Sequence, residues 1–104
     1  MSNINPREMK QGKSYCWDIG TGVHAFIFVR PFDEKRFLAI DRCASVWACH
    51  WSDAERNGVR EADTPVVARR SKYLSGQVGY GDLDKRVTPE DRALIAELVA
   101  ESQR

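Results

Sequence analysis

The side chains best suited to chemistry lie within residues 23–51, a tract that contains both histidines and two of the three cysteines. These four residues are His24, Cys43, Cys49 and His50. Thiols and imidazoles are ligands that zinc prefers, and a thiol beside an imidazole can act as a nucleophile. Structural zinc sites usually show paired C-x2-4-C spacings, from which the C-x5-C-H spacing here differs. A thiol- or zinc-dependent protein built on these four residues is therefore an alternative interpretation.

A catalytic pair is not evident among these residues. His50 directly follows Cys49, and chain neighbours point in different directions on a helix or a strand. His24 could meet Cys43 across a hairpin, but the sequence offers no evident oxyanion site to accompany them. We accordingly predict that the protein is not an enzyme and has no catalytic residue, metal ligand or cofactor.

A basic and aromatic cluster lies at Arg69, Arg70, Lys72 and Tyr73. This combination is suited to binding single-stranded nucleic acid, because cations contact phosphates and rings stack on bases. No signature of a known nucleic-acid-binding motif accompanies the cluster, and the formal net charge of the chain is only +1. A nucleic-acid-binding regulator using the segment 69–73 is a second alternative interpretation.

Large aromatic and arginine side chains are numerous for so short a chain, and both types are enriched at the centres of protein interfaces. We therefore predict a non-catalytic binding protein that acts through a protein–protein interface, such as an inhibitor or regulator of a larger assembly of the phage anti-defence or toxin-immunity type. A homodimer is the other expected use of such a surface. The predicted partner-binding residues are Trp47, Trp51, Arg56, Arg60, Arg69, Arg70, Lys72 and Tyr73.

The residues Asp18 to Gly22 read D-x-G-x-G. This fragment resembles the first strand-to-helix turn of methyltransferases that use S-adenosylmethionine, over five residues. A helix follows the glycines in that family, whereas a strand-like run follows here and His24 replaces the third glycine. We therefore predict that the segment is the turn of a hairpin.

Length and composition predict a single domain spanning 1–104. With 42% hydrophobic and 30% charged residues, the chain is close to the average of globular proteins. Residues 1–13 contain no apolar segment of the kind found in a signal peptide, and no run approaches the length of a membrane span. We expect a soluble cytoplasmic protein with free thiols and no membrane partner, in which residues 1–12 form a poorly ordered lead-in.

Hydrophobic spacing predicts an α+β fold. Residues 14–42 contain three strand-like runs separated by turn residues, which predicts an antiparallel three-stranded meander. In the middle run both alternating faces are apolar, so we predict a central strand that is covered on both sides. One or two further strands are expected within 65–80.

Two helices complete the predicted fold. Thr88, Pro89 and Asp91 form a start signal for a helix over 89–102, whose apolar stripe should cover the sheet. Cys43, Trp47, His50 and Ala54 recur at helical intervals, which favours a second helix over 45–57. As an alternative, the preceding strand continues to Trp51 and only a short turn follows, because Ser52 and Glu55 fit a capping box.

Overall fold

An antiparallel sheet of five strands is the centre of the structure, a computed structural model that describes residues 3–69 and 86–104. The strands are β1 (Ser14–Asp18), β2 (Val23–Pro31), β3 (Arg36–Ile40), β4 (Val46–His50) and β5 (Arg60–Glu61). They lie in the order β4-β3-β2-β1-β5. A 3-10 helix (Pro6–Glu8), α1 (Trp51–Asn57) and α2 (Pro89–Ser102) accompany the sheet. The predicted α+β class and the antiparallel meander are confirmed.

The central strand β2 has apolar side chains on both faces, as its sequence predicts. Ile27 and Val29 belong to the hydrophobic cluster that also contains Leu98 of α2. Phe26 and Phe28 belong to a second cluster, which we call the aromatic face. Because side chains alternate along a strand, a sheet apolar on both faces must be covered on both sides.

The hairpin between β1 and β2 turns at Ile19 to Gly22. The Ile19 N–H donates to the Gly22 carbonyl at 3.0 Å, and Gly20 has a φ of +84°, a conformation that glycine adopts without steric cost. The predicted hairpin turn at D-x-G-x-G is therefore confirmed.

Helix α2 begins with the predicted capping box. The Thr88 hydroxyl accepts from the Asp91 N–H, and the Asp91 carboxylate accepts from the Thr88 N–H, both at 3.1 Å. Ile95 and Leu98 then pack on the sheet. The predicted bounds of 89–102 match the observed helix.

The predicted helix over 45–57 is wrong in its first half. Residues 46–50 form β4, which pairs with β3 along its whole length, and the helix begins only at Trp51. The alternative in which the strand continues to Trp51 is closer to the structure. Pairing with β3 and burial of Val46 outweigh the helical spacing, which is a weak local signal.

The expectation of further strands within 65–80 is not met in its described part, since residues 65–69 form no strand. The Val66 N–H donates to the Ser14 hydroxyl at 2.8 Å, and the Ala68 N–H donates to the Ser102 hydroxyl at 3.0 Å. Side chains thus satisfy backbone groups that a ladder would otherwise pair. The rest of the range 65–80 expected to hold further strands, from residue 70 onward, lies outside the described residues.

Residues 3–12 contact the core, in contrast to the poorly ordered lead-in expected from sequence. Met9 is 7% exposed and Ile4 packs beside it on the aromatic face. The Ile4 N–H donates to the Val59 carbonyl and the Lys10 N–H to the Tyr15 hydroxyl, both at 2.8 Å. The segment covers one part of the aromatic face.

Candidate binding site

The turn between β3 and β4 positions an exposed tryptophan. Asp41 Oδ1 accepts from the backbone N–H groups of Cys43 at 2.8 Å and Ser45 at 2.9 Å. These bonds support a tight turn in which Ala44 has a φ of +60°, which is uncommon for a residue other than glycine. Asp41 Oδ2 accepts from Trp47 Nε1 at 2.7 Å. The carboxylate therefore fixes the turn and the indole together.

A groove of about 430 Å³ opens on the aromatic face beside this indole. It lies between the sheet and the first turn of α1. We call it the Trp47 groove. Its main lining residues are Trp17, His24, Asp41, Trp47, Cys49 and Asp53, and Ala48 and His50 complete it.

The groove is acidic in character. Burial lowers the pKa of His24, although the charge of Asp41 acts in the opposite direction, so the imidazole is neutral at neutral pH. Burial, with a smaller contribution from Asp53, raises the pKa of Cys49 to about 12. The thiol therefore stays protonated, and Asp41 and Asp53 are the acidic residues that line the groove.

The four residues considered for thiol or zinc chemistry come together only in part. His24, Cys49 and His50 line the groove, whereas Cys43 is exposed and is not among the lining residues. Within residues 3–69 and 86–104, no group of three His, Cys, Asp or Glu side chains is arranged to hold a metal ion. The high pKa of Cys49 also disfavours the thiolate that nucleophilic chemistry requires.

The two predicted interface tryptophans have opposite environments. Trp47 is 52% exposed, as a binding residue should be. Trp51 is 3% exposed, with its ring centroid 4.7 Å from that of Phe37 and the Arg7 guanidinium 4.2 Å from its own centroid. The prediction that Trp51 contributes to a partner surface is therefore corrected. Spacing alone could not separate the rings, because only the packing of α1 decides which one is covered.

Among the residues that the structure describes, the predicted arginines lie at different places relative to Trp47. The Arg56 side chain is 75% exposed and pairs at 2.5 Å with Asp53, so it flanks the groove. Arg60 lies on β5, at the opposite end of the strand order from β4, and pairs with Asp18 at 3.4 Å. Arg69 is exposed. The other predicted binding residues, Arg70, Lys72 and Tyr73, lie outside the described residues.

Trp17, Asp41, Ala48 and Asp53 are the groove residues that sequence reasoning assigned to no site. Asp41 carries a recognisable local signal, since an aspartate that opens a short turn often accepts from backbone N–H groups two residues onward. Its bond to Trp47 has no comparable signal, because the register of β3 and β4 determines that contact.

No protein-family model, curated protein or solved structure matches this chain. None of the described helices has the length and apolarity needed to cross a lipid bilayer. The functional proposal therefore depends on the geometry and chemistry of the groove.

Proposed function

We propose that this chain is a small non-catalytic binding protein whose partner, another protein, docks on the Trp47 groove and the adjoining strand β4. The observation that carries the proposal is the state of Trp47, which is 52% exposed while its Nε1 donates to Asp41 at 2.7 Å. Regulation or inhibition of the partner is the action we infer, since binding alone suffices for it.

A fixed, exposed indole is well suited to be the centre of an interface. Tryptophan is enriched among the residues that dominate binding energy, because it buries a large apolar area and retains one polar N–H. Binding normally costs free energy to immobilise interface side chains. The bond to Asp41 has already restricted the Trp47 ring, so less of that cost remains to be met on docking.

The outer position of β4 supports the same surface. The Trp51 N–H donates to the Lys35 carbonyl at 2.9 Å, just beyond the end of β4. Hydrogen-bonded pairs alternate with non-bonded pairs along antiparallel strands. Counted back in twos from Trp51, the backbone groups of Cys49 and Trp47 therefore point toward β3. Those of Ala48, which lies between them, point away from β3. In the sheet order of the described strands, no strand lies outside β4. A partner can therefore bond to this edge while covering the indole.

Site-specific photo-crosslinking in cells of the native host tests the proposal. A photoreactive amino acid replaces His50, which lines the groove and makes no side-chain capping bond to α1. The same probe at the exposed Glu97, on α2, is the matched control. We expect a discrete protein adduct at position 50 that resists nuclease, is absent at position 97, and is lost when W47A is added.

Two results would contradict the proposal. Equal adducts at positions 50 and 97 would show that the groove has no preference for a partner. Nuclease-sensitive adducts at position 50 would point to nucleic acid as the bound molecule. The folded state of W47A is checked by circular dichroism, so that loss of the adduct cannot come from unfolding.

A further inference from the structure

We propose that the Trp47 groove receives an arginine side chain of the docking protein. This inference rests on the proposed function and deepens it by naming the chemistry that the groove recognises. It follows from the charge of the groove, from the remaining hydrogen-bonding capacity of its carboxylates and from the rings beside them.

The charge of Asp41 is not cancelled by a cation among the described residues. Its three hydrogen bonds come from neutral donors, the N–H groups of Cys43 and Ser45 and the indole of Trp47. Neutral donors stabilise a carboxylate but leave its full negative charge in place. A carboxylate offers about four acceptor sites, so this one retains the capacity for a further donor.

Asp53 supplies a second carboxylate on the α1 side of the groove. Its Oδ1 pairs with Arg56, whose side chain is 75% exposed. A pair so exposed to water is weak and exchanges readily with other partners. Among the described residues, no lysine or arginine lines the groove. The groove is therefore complementary to a cation.

The aromatic lining favours a planar cation. Trp17 and Trp47 both line the groove, and the Trp17 ring centroid lies 5.2 Å from that of His24. Tryptophan binds cations over its ring more strongly than other aromatic residues. A guanidinium group can stack on an indole and donate to a carboxylate at the same time, whereas an ammonium group presents no plane to stack. Arginine thus fits the groove better than lysine.

NMR titration of the ¹⁵N-labelled protein tests the inference with a defined probe, N-acetylarginine amide. The indole N–H resonances of Trp17 and Trp47 report on binding in the groove. N-acetylcitrulline amide has a similar shape without the charge and is the control probe. N-acetyllysine amide has the charge without the planar group. We expect saturable shifts of both indole resonances with arginine, weaker shifts with lysine and none with citrulline.

Charge-matched variants localise the effect. D41N and D53N each remove one negative charge from the groove, and D63N removes one at an exposed position outside it. We expect D53N to weaken arginine binding by about fivefold and D63N to leave it unchanged within about twofold. D53N is the decisive variant, since D41N also disturbs the acceptor group that holds the Trp47 indole N–H.

The outcomes separate this inference from the proposed function. Equal shifts with citrulline and arginine, stronger shifts with lysine, or equal losses in D53N and D63N would overturn the arginine assignment. The protein-docking proposal would survive those results if the position-50 adduct still required Trp47. Conversely, resonance shifts specific to arginine, without any protein adduct at position 50, would support recognition of arginine by the groove. They would overturn the proposal that a protein partner docks there.

Discussion

At the scale of single residues, a partly buried ion pair joins the sheet to helix α2. Arg30 Nε lies 2.6 Å from Asp91 Oδ1, and a second guanidinium nitrogen lies 2.7 Å from Oδ2. The Asp91 side chain is 7% exposed. Hydrogen bonds from Arg30, assisted by the Thr88 backbone N–H, lower the pKa of Asp91 to about 2 from a usual value of 3.8. Its charge therefore contributes to the stability of the folded state.

Replacing Asp91 by asparagine should destabilise the protein in a pH-dependent way. The pKa is depressed on folding, so the stabilisation is present above pH 4 and is lost as the pH falls from about 4 to about 2. The pKa difference corresponds to about 2 kcal/mol at neutral pH. Urea unfolding at pH 7 and at pH 2.5 measures the difference between wild type and D91N, which should shrink markedly in acid.

E90Q provides the control for this prediction, because Glu90 lies in the same first turn of α2 but is exposed. It should alter stability by less than about 0.5 kcal/mol at both pH values. Hydrogen bonds from Arg36 also lower the pKa of Asp33 to about 2. Asp33 is present in wild type, D91N and E90Q, so its contribution to stability cancels when they are compared. A D91N deficit that stays the same in acid would contradict the role of the Asp91 charge.

At the scale of elements, the end of α1 depends on a glycine. Gly58 follows the helix with a φ of +77°, and its N–H donates to the Ala54 carbonyl at 3.0 Å. The chain turns there toward Val59, which is fully buried. A Cβ at position 58 would also lie 2.6 Å from Asn3 Nδ2. The backbone conformation therefore favours glycine, and any other residue would also have to displace the Asn3 side chain.

G58A should lower the free energy of unfolding by roughly 1–2 kcal/mol, because an L-residue is strained at positive φ. G22A is the matched control, since no atom lies within 4 Å of a Cβ built there. It should change stability by less than about 0.5 kcal/mol. Denaturant unfolding measures both variants.

The double variant N3A/G58A separates the two causes. Removing the Asn3 side chain relieves the contact with the new Cβ but does not change the backbone conformation. We expect it to recover only part of the loss seen in G58A relative to N3A alone. Full recovery would show that the contact with Asn3, and not the positive φ, is the reason for glycine at this position.

At the scale of the whole molecule, the sheet has two apolar faces and needs a cover on each. Helix α2 covers one face, and α1 with the segment before β1 covers the other. The N-terminal segment is therefore part of the core and not an appendage. Met9, at 7% exposure, is the clearest sign of this role.

A chain that begins at Gln11 should be less stable than the full chain by at least about 3 kcal/mol, since it uncovers apolar area on the aromatic face. Urea unfolding followed by tryptophan fluorescence measures the loss. In the full chain, M9L keeps the apolar volume and should cost less than about 1.5 kcal/mol. If the truncated chain were as stable as the full chain, residues 3–10 would not belong to the core.

Local sequence patterns were sufficient to predict several features of this fold. Alternation in β2 predicted a strand covered on both sides, and Thr88, Pro89 and Asp91 predicted the start of α2, because capping is a contact between residues three apart. The glycines after Asp18 predicted the first hairpin turn. These signals act over a few residues, so the sequence contains all that is needed to recognise them.

Features that depend on distant partners could not be predicted from local patterns. Residues 46–50 have helical spacing but form β4, because pairing with β3 stabilises them as a strand. Trp51 is covered by contacts with Phe37 and Arg7, while Trp47 stays exposed. The groove likewise brings Trp17 beside residues more than twenty positions later in the chain. Such contacts are set by strand register and packing, which no local spacing specifies.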